Sequence, residues 1–157
     1  MTSSLLDVAA QLDRLQSKVG TELGVTDLER FTQAQVDEYA ALTGEDLWVH
    51  TDPVRAASSP YGGTIVQATL LIARFGAWIR HTGPWLPEPA SALNYGYDRI
   101  RIPGSLSTGV GVRGRIFLKS LEYRNPWMVQ TRVAITAERQ DGAVVNAADW
   151  ITVFVLP

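Results

Sequence analysis

The chain has 157 residues, of which 46% are hydrophobic and 19% charged, with a formal net charge of −2. This length and composition are ordinary for one soluble domain, and the charge argues against a nucleic-acid binder or a polybasic membrane protein. The lack of cysteine excludes disulfides, thiol nucleophiles and cysteine metal sites, and it fits a reducing compartment. Without a signal-peptide layout at the N-terminus, we expect one cytoplasmic domain over residues 1–157.

The N-terminal part of the chain is predicted to be mostly helical. Apolar residues at helical spacing predict an amphipathic helix over 5–19, and a short extended stretch follows at 23–31. Thr32 is predicted to begin a second helix, because Thr32 and Gln35 have the spacing of a capping box. That helix should stop at Gly44, a residue suited to the left-handed position after a helix.

The middle of the chain contains the longest predicted helix. Residues 45–63 are interpreted as irregular, apart from one helical turn after Pro53, because prolines and glycines interrupt them. Residues 64–81 are then predicted to form a single helix that is apolar on nearly every face. A helix of this kind should be buried in the middle of the fold.

After a proline-rich connection at 84–89, the chain is predicted to be β-sheet to its end. The predicted strands are 92–102, 111–123, 129–139 and 144–155. Asp141-Gly142 is a two-residue hairpin signal between the last two. One buried helix followed by antiparallel strands is an α+β layout in which the sheet wraps the helix, the hot-dog arrangement. Such a sheet leaves an edge strand uncovered, so we expect a homodimer.

The chain has only two histidines, and they differ in context. His81 ends the long predicted helix and is interpreted as a capping or surface residue. His50 lies in the irregular segment, with Glu45 and Asp46 just upstream. A carboxylate and an imidazole can hold one water between them, which is the minimum for general acid–base chemistry. The alternative for a loop histidine near acidic residues is a solvated or structural role.

Three ordered motifs occupy the central part of the chain. They read ALTGEDLWVHTDPVRAA over 41–57, PYGGTIVQA over 60–68 and LNYGYDRIRIP over 93–103. Together they resemble the signature of the MaoC-like dehydratases, the (R)-specific enoyl-CoA hydratase/dehydratase family, and particularly its NodN-like branch. The resemblance runs in order from about residue 32 to the final strand.

This resemblance implies a hot-dog dimer that adds water reversibly to a 2-enoyl thioester, giving the (R)-3-hydroxyacyl form. His50 matches the family's catalytic histidine, which polarises the water and takes its proton. Glu45 matches the catalytic aspartate, which holds the water and helps deliver a proton to Cα. Glutamate is one methylene longer, and Asp46, one residue too close to match, is kept as a second candidate carboxylate.

The resemblance also predicts groups that hold the substrate. Backbone N–H groups at the start of the central helix, predicted as the turn 64–68, should bind the thioester oxygen. Gly63, Gln67 and Ala68 are therefore assigned to oxyanion or substrate binding, although Gln67-Ala68 replaces the family's His-Gly pair. Asn94 and Tyr95 match an Asn-Tyr-Gly motif, and Asn94 either faces the pocket or satisfies nearby backbone.

Three functions are compatible with these residues. The first is a hydro-lyase acting on 2-enoyl or 3-hydroxyacyl thioesters through His50 and Glu45. The second is a diverged enzyme that catalyses dehydration, isomerisation or intramolecular conjugate addition on a specialised polyketide-like substrate. The third is a non-catalytic acyl-thioester-binding subunit. The expected partner is an acyl thioester of coenzyme A or a carrier protein, with no cofactor, metal, nucleic acid or membrane.

Overall fold

A computed structural model describes residues 5–83 and 91–156, so the proline-rich connection predicted at 84–89 lies outside the described residues. In chain order the elements are α1 (Leu5–Gln16), β1 (Thr21–Val25), β2 (Glu29–Arg30), α2 (Gln33–Thr43), α3 (Trp48–Thr51), α4 (Pro53–Ala57), α5 (Ala68–Arg80), β3 (Ser91–Arg101), β4 (Gly111–Asn125), β5 (Met128–Arg139) and β6 (Val144–Val155). No helix within the described ranges is long and apolar enough to cross a membrane.

Helix α2 has both of its predicted ends. The Thr32 hydroxyl accepts a hydrogen bond from the backbone N–H of Gln35, while the Gln35 side chain accepts one from the backbone of Thr32. This capping box satisfies two donors that the first turn of a helix leaves free. At the other end, Gly44 has a φ of 77° and its N–H bonds to Ala40, so the chain turns sharply into the following loop.

The strands form one antiparallel sheet in the order β1-β4-β5-β6-β3. The short strand β2 pairs with the first residues of β4. The three long strands β4, β5 and β6 are consecutive neighbours, because each is joined to the next by a hairpin. On β5 the residues alternate between buried and half-buried, the pattern of a strand with one face on the core. The α+β, hot-dog prediction is confirmed.

Helix α5 packs one face against the sheet. Leu71, Phe75 and Trp78 are buried along that face, at the spacing of successive helical turns. The indole of Trp78 lies over Gly114 of β4, where a Cβ atom would come within 2.6 Å of the ring. The opposite face is not buried in the single chain, since Ala73 is exposed, so the expectation of a helix buried on every side is wrong for one copy.

The start of α5 also differs from the prediction, which places it at Thr64 instead of Ala68. The intervening residues are extended because their backbone groups pair elsewhere. The N–H of Ile65 donates to Val49, and the N–H of Val66 donates to Leu106. The apolar spacing of these residues is typical of a helix. In the structure they form an extended segment that is hydrogen-bonded to the loop after α2 and to the segment before β4.

The loop after α2 is less irregular than the sequence indicates. The turn predicted after Pro53 is present as α4, with the Asp52 side chain accepting from the N–H of Arg55. The short helix α3 precedes it and is not predicted, because four residues are too few to establish a helical period. Helix α3 carries His50 in its last turn.

Candidate active site

A cavity of about 460 Å³ opens between the loop after α2, the start of α5 and the segment before β4. Its polar side includes Glu45 and His50, which the chain brings to the same space. The remaining wall is mostly apolar and contains Tyr61, Ile65, Val66, Ala68, Leu71, Ile102, Pro103, Gly104, Ser105, Leu106 and Val145. A largely apolar cavity with few polar groups is typical of a small-molecule site.

The imidazole of His50 is buried, with 7% of the residue exposed, and one ring nitrogen is fixed. Its Nδ1 atom lies 2.7 Å from the carbonyl oxygen of Ile65. A carbonyl can only accept, so Nδ1 carries the hydrogen of this bond. In the neutral ring, Nε2 is then the nitrogen with the free lone pair. Nε2 is therefore the ring nitrogen that can accept a proton.

A network of hydrogen bonds fixes the backbone of His50. The side-chain amide of Gln33 donates to the His50 carbonyl at 2.7 Å and to Asp37 at 2.8 Å. Its oxygen accepts from the Thr64 hydroxyl at 2.6 Å, and that hydroxyl lies 3.0 Å from the hydroxyl of Thr108. Because these groups belong to four separate segments, the network ties the His50 turn to α2 and to the segment before β4.

Glu45 is half-buried and lines the cavity. Its Oε2 atom accepts a hydrogen bond from the hydroxyl of Thr69 on α5. Asp46, the second candidate carboxylate, is exposed and does not line the cavity, while its carbonyl accepts from the Thr51 hydroxyl. Of the two carboxylates, the geometry therefore favours Glu45.

The first turn of α5 meets the cavity at Ala68. The first N–H groups of a helix have no partner within the helix, and the residue before this one, Gln67, supplies no side-chain cap. The Gln67 amide is fully buried and donates instead to the carbonyls of Val36 at 3.1 Å and Glu45 at 3.5 Å. From the sheet side, Asn146 donates to the Ala68 carbonyl at 3.1 Å. The Ala68 carbonyl at the start of the helix is thus bound by a side chain of the sheet, at the point where the helix reaches the cavity.

Four of the five predicted substrate-binding residues, Gly63, Gln67, Asn94 and Tyr95, do not line this cavity. Gly63 precedes the extended connection to α5, and Asn94 and Tyr95 lie on the edge strand β3. Asn94 is exposed and pairs with Thr152, while the ring of Tyr95 lies under the guanidinium of Arg124 at 4.1 Å. Their role in binding stays a prediction for this chain.

Sequence reasoning did not identify several residues that shape the site. Gln33 lies in the capping segment of α2, where its side chain gives no separate signal. Thr69 lies among apolar helix residues, and no sequence pattern links it to Glu45. Asn146 had a usable signal, because it is a polar residue flanked by apolar ones in a largely apolar strand. Tyr61 directly precedes the Gly62-Gly63 pair and also lines the cavity. Among the described residues, no group of three side chains has the arrangement to hold a metal ion.

The fold and cavity together define a hot-dog protein with a carboxylate and an imidazole at the start of its central helix. No protein-family model matches the sequence. Nodulation protein N of Rhizobium leguminosarum bv. viciae is 34% identical over 139 residues, covering 87% of this chain and 86% of that protein. A 3-hydroxyacyl-thioester dehydratase Z of Mycobacterium tuberculosis is 31% identical over 129 residues, covering 82% and 85%.

Among solved structures, an (R)-hydratase from A. caviae involved in PHA biosynthesis has a TM-score of 0.70. It is 22% identical, and the match covers 88% of this chain and 96% of that one, so it supports the fold. Taken with the sequence relatives, this chain belongs to the MaoC-like hydratase/dehydratase family, a family of enzymes. The family resemblance of the three motifs is confirmed.

Proposed function

We propose that this protein is a hydro-lyase that adds water reversibly to 2-enoyl thioesters, giving (R)-3-hydroxyacyl thioesters. His50 and Glu45 are the acid–base pair, and the backbone N–H of Ala68 at the start of α5 binds the thioester oxygen. The observation that carries the proposal is the bond from His50 Nδ1 to Ile65, which leaves Nε2 as the base in a cavity that Glu45 also lines.

The proposed step uses one water held between Glu45 and His50. His50 Nε2 takes a proton from this water while its oxygen forms a bond to the β-carbon of the substrate. The electron pair of the double bond moves toward the thioester oxygen, where the N–H of Ala68 stabilises the developing charge. The His50–Glu45 pair then delivers one proton to the α-carbon, so the site returns to its starting protonation state.

The position of Gln67 argues against the diverged-enzyme alternative. Its side chain does not line the cavity and donates to the carbonyls of Val36 and, at 3.5 Å, Glu45, so its difference from the family's histidine can act on the substrate only through Glu45. The catalytic alternatives therefore differ chiefly at Glu45. The relative from Mycobacterium tuberculosis is a 3-hydroxyacyl-thioester dehydratase, which supports a thioester of coenzyme A or a carrier protein as substrate.

We also propose that the chain works as a cytoplasmic homodimer joined along β3. This strand has β6 as a neighbour on one side, and its exposed Leu93 and Tyr95 give the free edge an apolar character. Light scattering should give twice the 17.2 kDa mass of one chain. Leu93→Lys should return the protein to one chain, and a wild-type protein of single mass would contradict the proposal.

The activity is tested by the loss of enoyl-thioester absorbance with crotonyl-CoA and longer 2-enoyl-CoAs. Wild type is compared with His50→Ala and with His81→Ala, a matched control because His81 is exposed at the end of α5. Turnover that depends on His50 and not on His81 supports the hydro-lyase. Ligand binding without turnover at any chain length would instead favour the non-catalytic subunit.

A further inference from the structure

The hydroxyl of Thr69 donates a hydrogen bond to the carboxylate of Glu45. Thr69 is the second residue of α5 and directly follows Ala68, which lines the cavity. The two partners are 24 residues apart, so the bond joins the loop after α2 to the start of the central helix. It connects the proposed acid–base residue to the helix end that would bind the thioester oxygen.

The first turn of α5 is electrostatically favourable for a carboxylate. Gln67 supplies no side-chain cap, because its amide donates to the carbonyls of Val36 and Glu45. The free N–H groups of a first turn and the helix dipole make this end favourable for negative charge. The Glu45 side chain is held near that end through Thr69, while Ala68 still faces the cavity.

A glutamate needs such a contact more than a shorter acid would. Its carboxylate is carried on two methylenes, so it can take several rotamers within a cavity of this size. A displacement of about 1 Å at a reacting group can cost on the order of a hundredfold in rate. A hydroxyl donor on a rigid helix selects one of those positions.

We infer that Thr69 is a positioning residue that holds the Glu45 carboxylate beside the catalytic water. This inference rests on the proposed function, because it assigns Glu45 a part in the reaction. Thr69 touches no reacting atom and acts through Glu45. Its requirement is a hydroxyl donor at position 69, which serine also provides and valine, of the same shape as threonine, does not.

The test is a double-mutant cycle on turnover of 2-enoyl-CoA. Thr69→Val should lower kcat by roughly ten- to a hundredfold with little change in KM, since the hydrogen bond to a charged group is lost. Thr69→Ser should recover most of that loss. In Glu45→Asp, the shorter carboxylate ends before the hydroxyl, so adding Thr69→Val should change kcat by less than about twofold.

Ala73→Val is the matched control, because it introduces the same β-branched residue on the exposed face of α5 one turn later. It should leave kcat unchanged. Two results would overturn the inference. One is an equal loss from Thr69→Val in the wild-type and the Glu45→Asp backgrounds, and the other is a Thr69→Ser protein as slow as Thr69→Val.

Failure of the proposed function has a different signature. In that case the wild-type protein turns over no thioester at all. The unfolding free energies of wild type, the two single variants and the double variant still report the contact, since Thr69 and Glu45 must then show a coupled change. Additive changes in stability would overturn the inference without reference to activity.

Discussion

The Nδ1 atom of His50 and the carbonyl oxygen of Ile65 lie 2.7 Å apart, and the N–H of the same Ile65 donates to Val49, the residue before His50. The extended connection before α5 therefore contacts His50 in two ways, directly at its ring and through the backbone of the preceding residue. This double attachment explains why residues 64–67 are not helical, because in a helix the Ile65 carbonyl would accept from a backbone N–H four residues later instead of from the His50 ring.

The ring attachment predicts different outcomes for two substitutions of His50. Asparagine places an amide N–H at the δ position, so His50→Asn can keep the bond to Ile65 while losing the base. We expect near-wild-type stability and turnover lowered by roughly 10²–10⁴-fold. Glutamine places its amide at the ε position, so His50→Gln should lose the bond and unfold at lower urea concentration. Urea denaturation and thioester absorbance measure both, and an active His50→Asn protein would refute the assignment of the base.

Gln67 should be replaceable, although it matches a position that the family fills with histidine. Its Oε1 atom is buried with no partner among the described residues. Its amide donates to the Val36 carbonyl, which can keep a helical partner, and makes only a long hydrogen bond of 3.5 Å to the Glu45 carbonyl. Gln67→Met should therefore change the free energy of unfolding by no more than about 1 kcal/mol and leave turnover within a few-fold of wild type. A loss comparable to that of His50→Ala would mean that Gln67 reaches the substrate.

The sequence predicts those parts of the fold that depend on local signals. The capping box at Thr32 and the hairpin at Asp141-Gly142 each lie within a few residues. Both are in place, although residues 140–143 connect the strands, a longer loop than the two-residue signal indicates. Contacts between distant segments carry no such signal. The bond from Thr69 to Glu45 and the early end of the apolar run before Ala68 depend on which backbone groups meet in the folded chain.

The contact between α5 and the sheet predicts a steric limit at Gly114. A Cβ atom there would lie 2.6 Å from Trp78 Cε3, and the indole cannot move freely because its Nε1 donates to Glu29 at 2.9 Å. Gly114→Ala should lower the free energy of unfolding by about 1–3 kcal/mol through overpacking. Gly63→Ala is the control for stability, because a Cβ there meets nothing within 4 Å. Equal stability of the two variants would contradict this packing.

Glu138 of β5 belongs to an ion-pair network that spans three strands on the outer face of the sheet. Its carboxylate accepts two hydrogen bonds from Arg115, at 2.7 and 3.2 Å, and lies 3.5 Å from Arg113. Arg115 also donates to Glu22 of β1 at 2.5 Å. The bonds from Arg115 lower the pKa of Glu138 from its ordinary value of 4.5, against the opposing effect of burial.

A lowered pKa in the folded state predicts the pH dependence of stability. The ionised Glu138 stabilises the fold above the unfolded pKa near 4.5, and this contribution is lost as pH falls through the lower folded pKa. Glu138→Gln should therefore be less stable than wild type at pH 7, and the difference should shrink as the pH falls below about 4.5. Urea midpoints of both proteins between pH 7 and pH 3 measure this, and the other carboxylates largely cancel in the difference. A difference that stays constant across the range would mean that the ionised pair with Arg115 adds nothing to stability, and that packing alone accounts for the effect of the substitution.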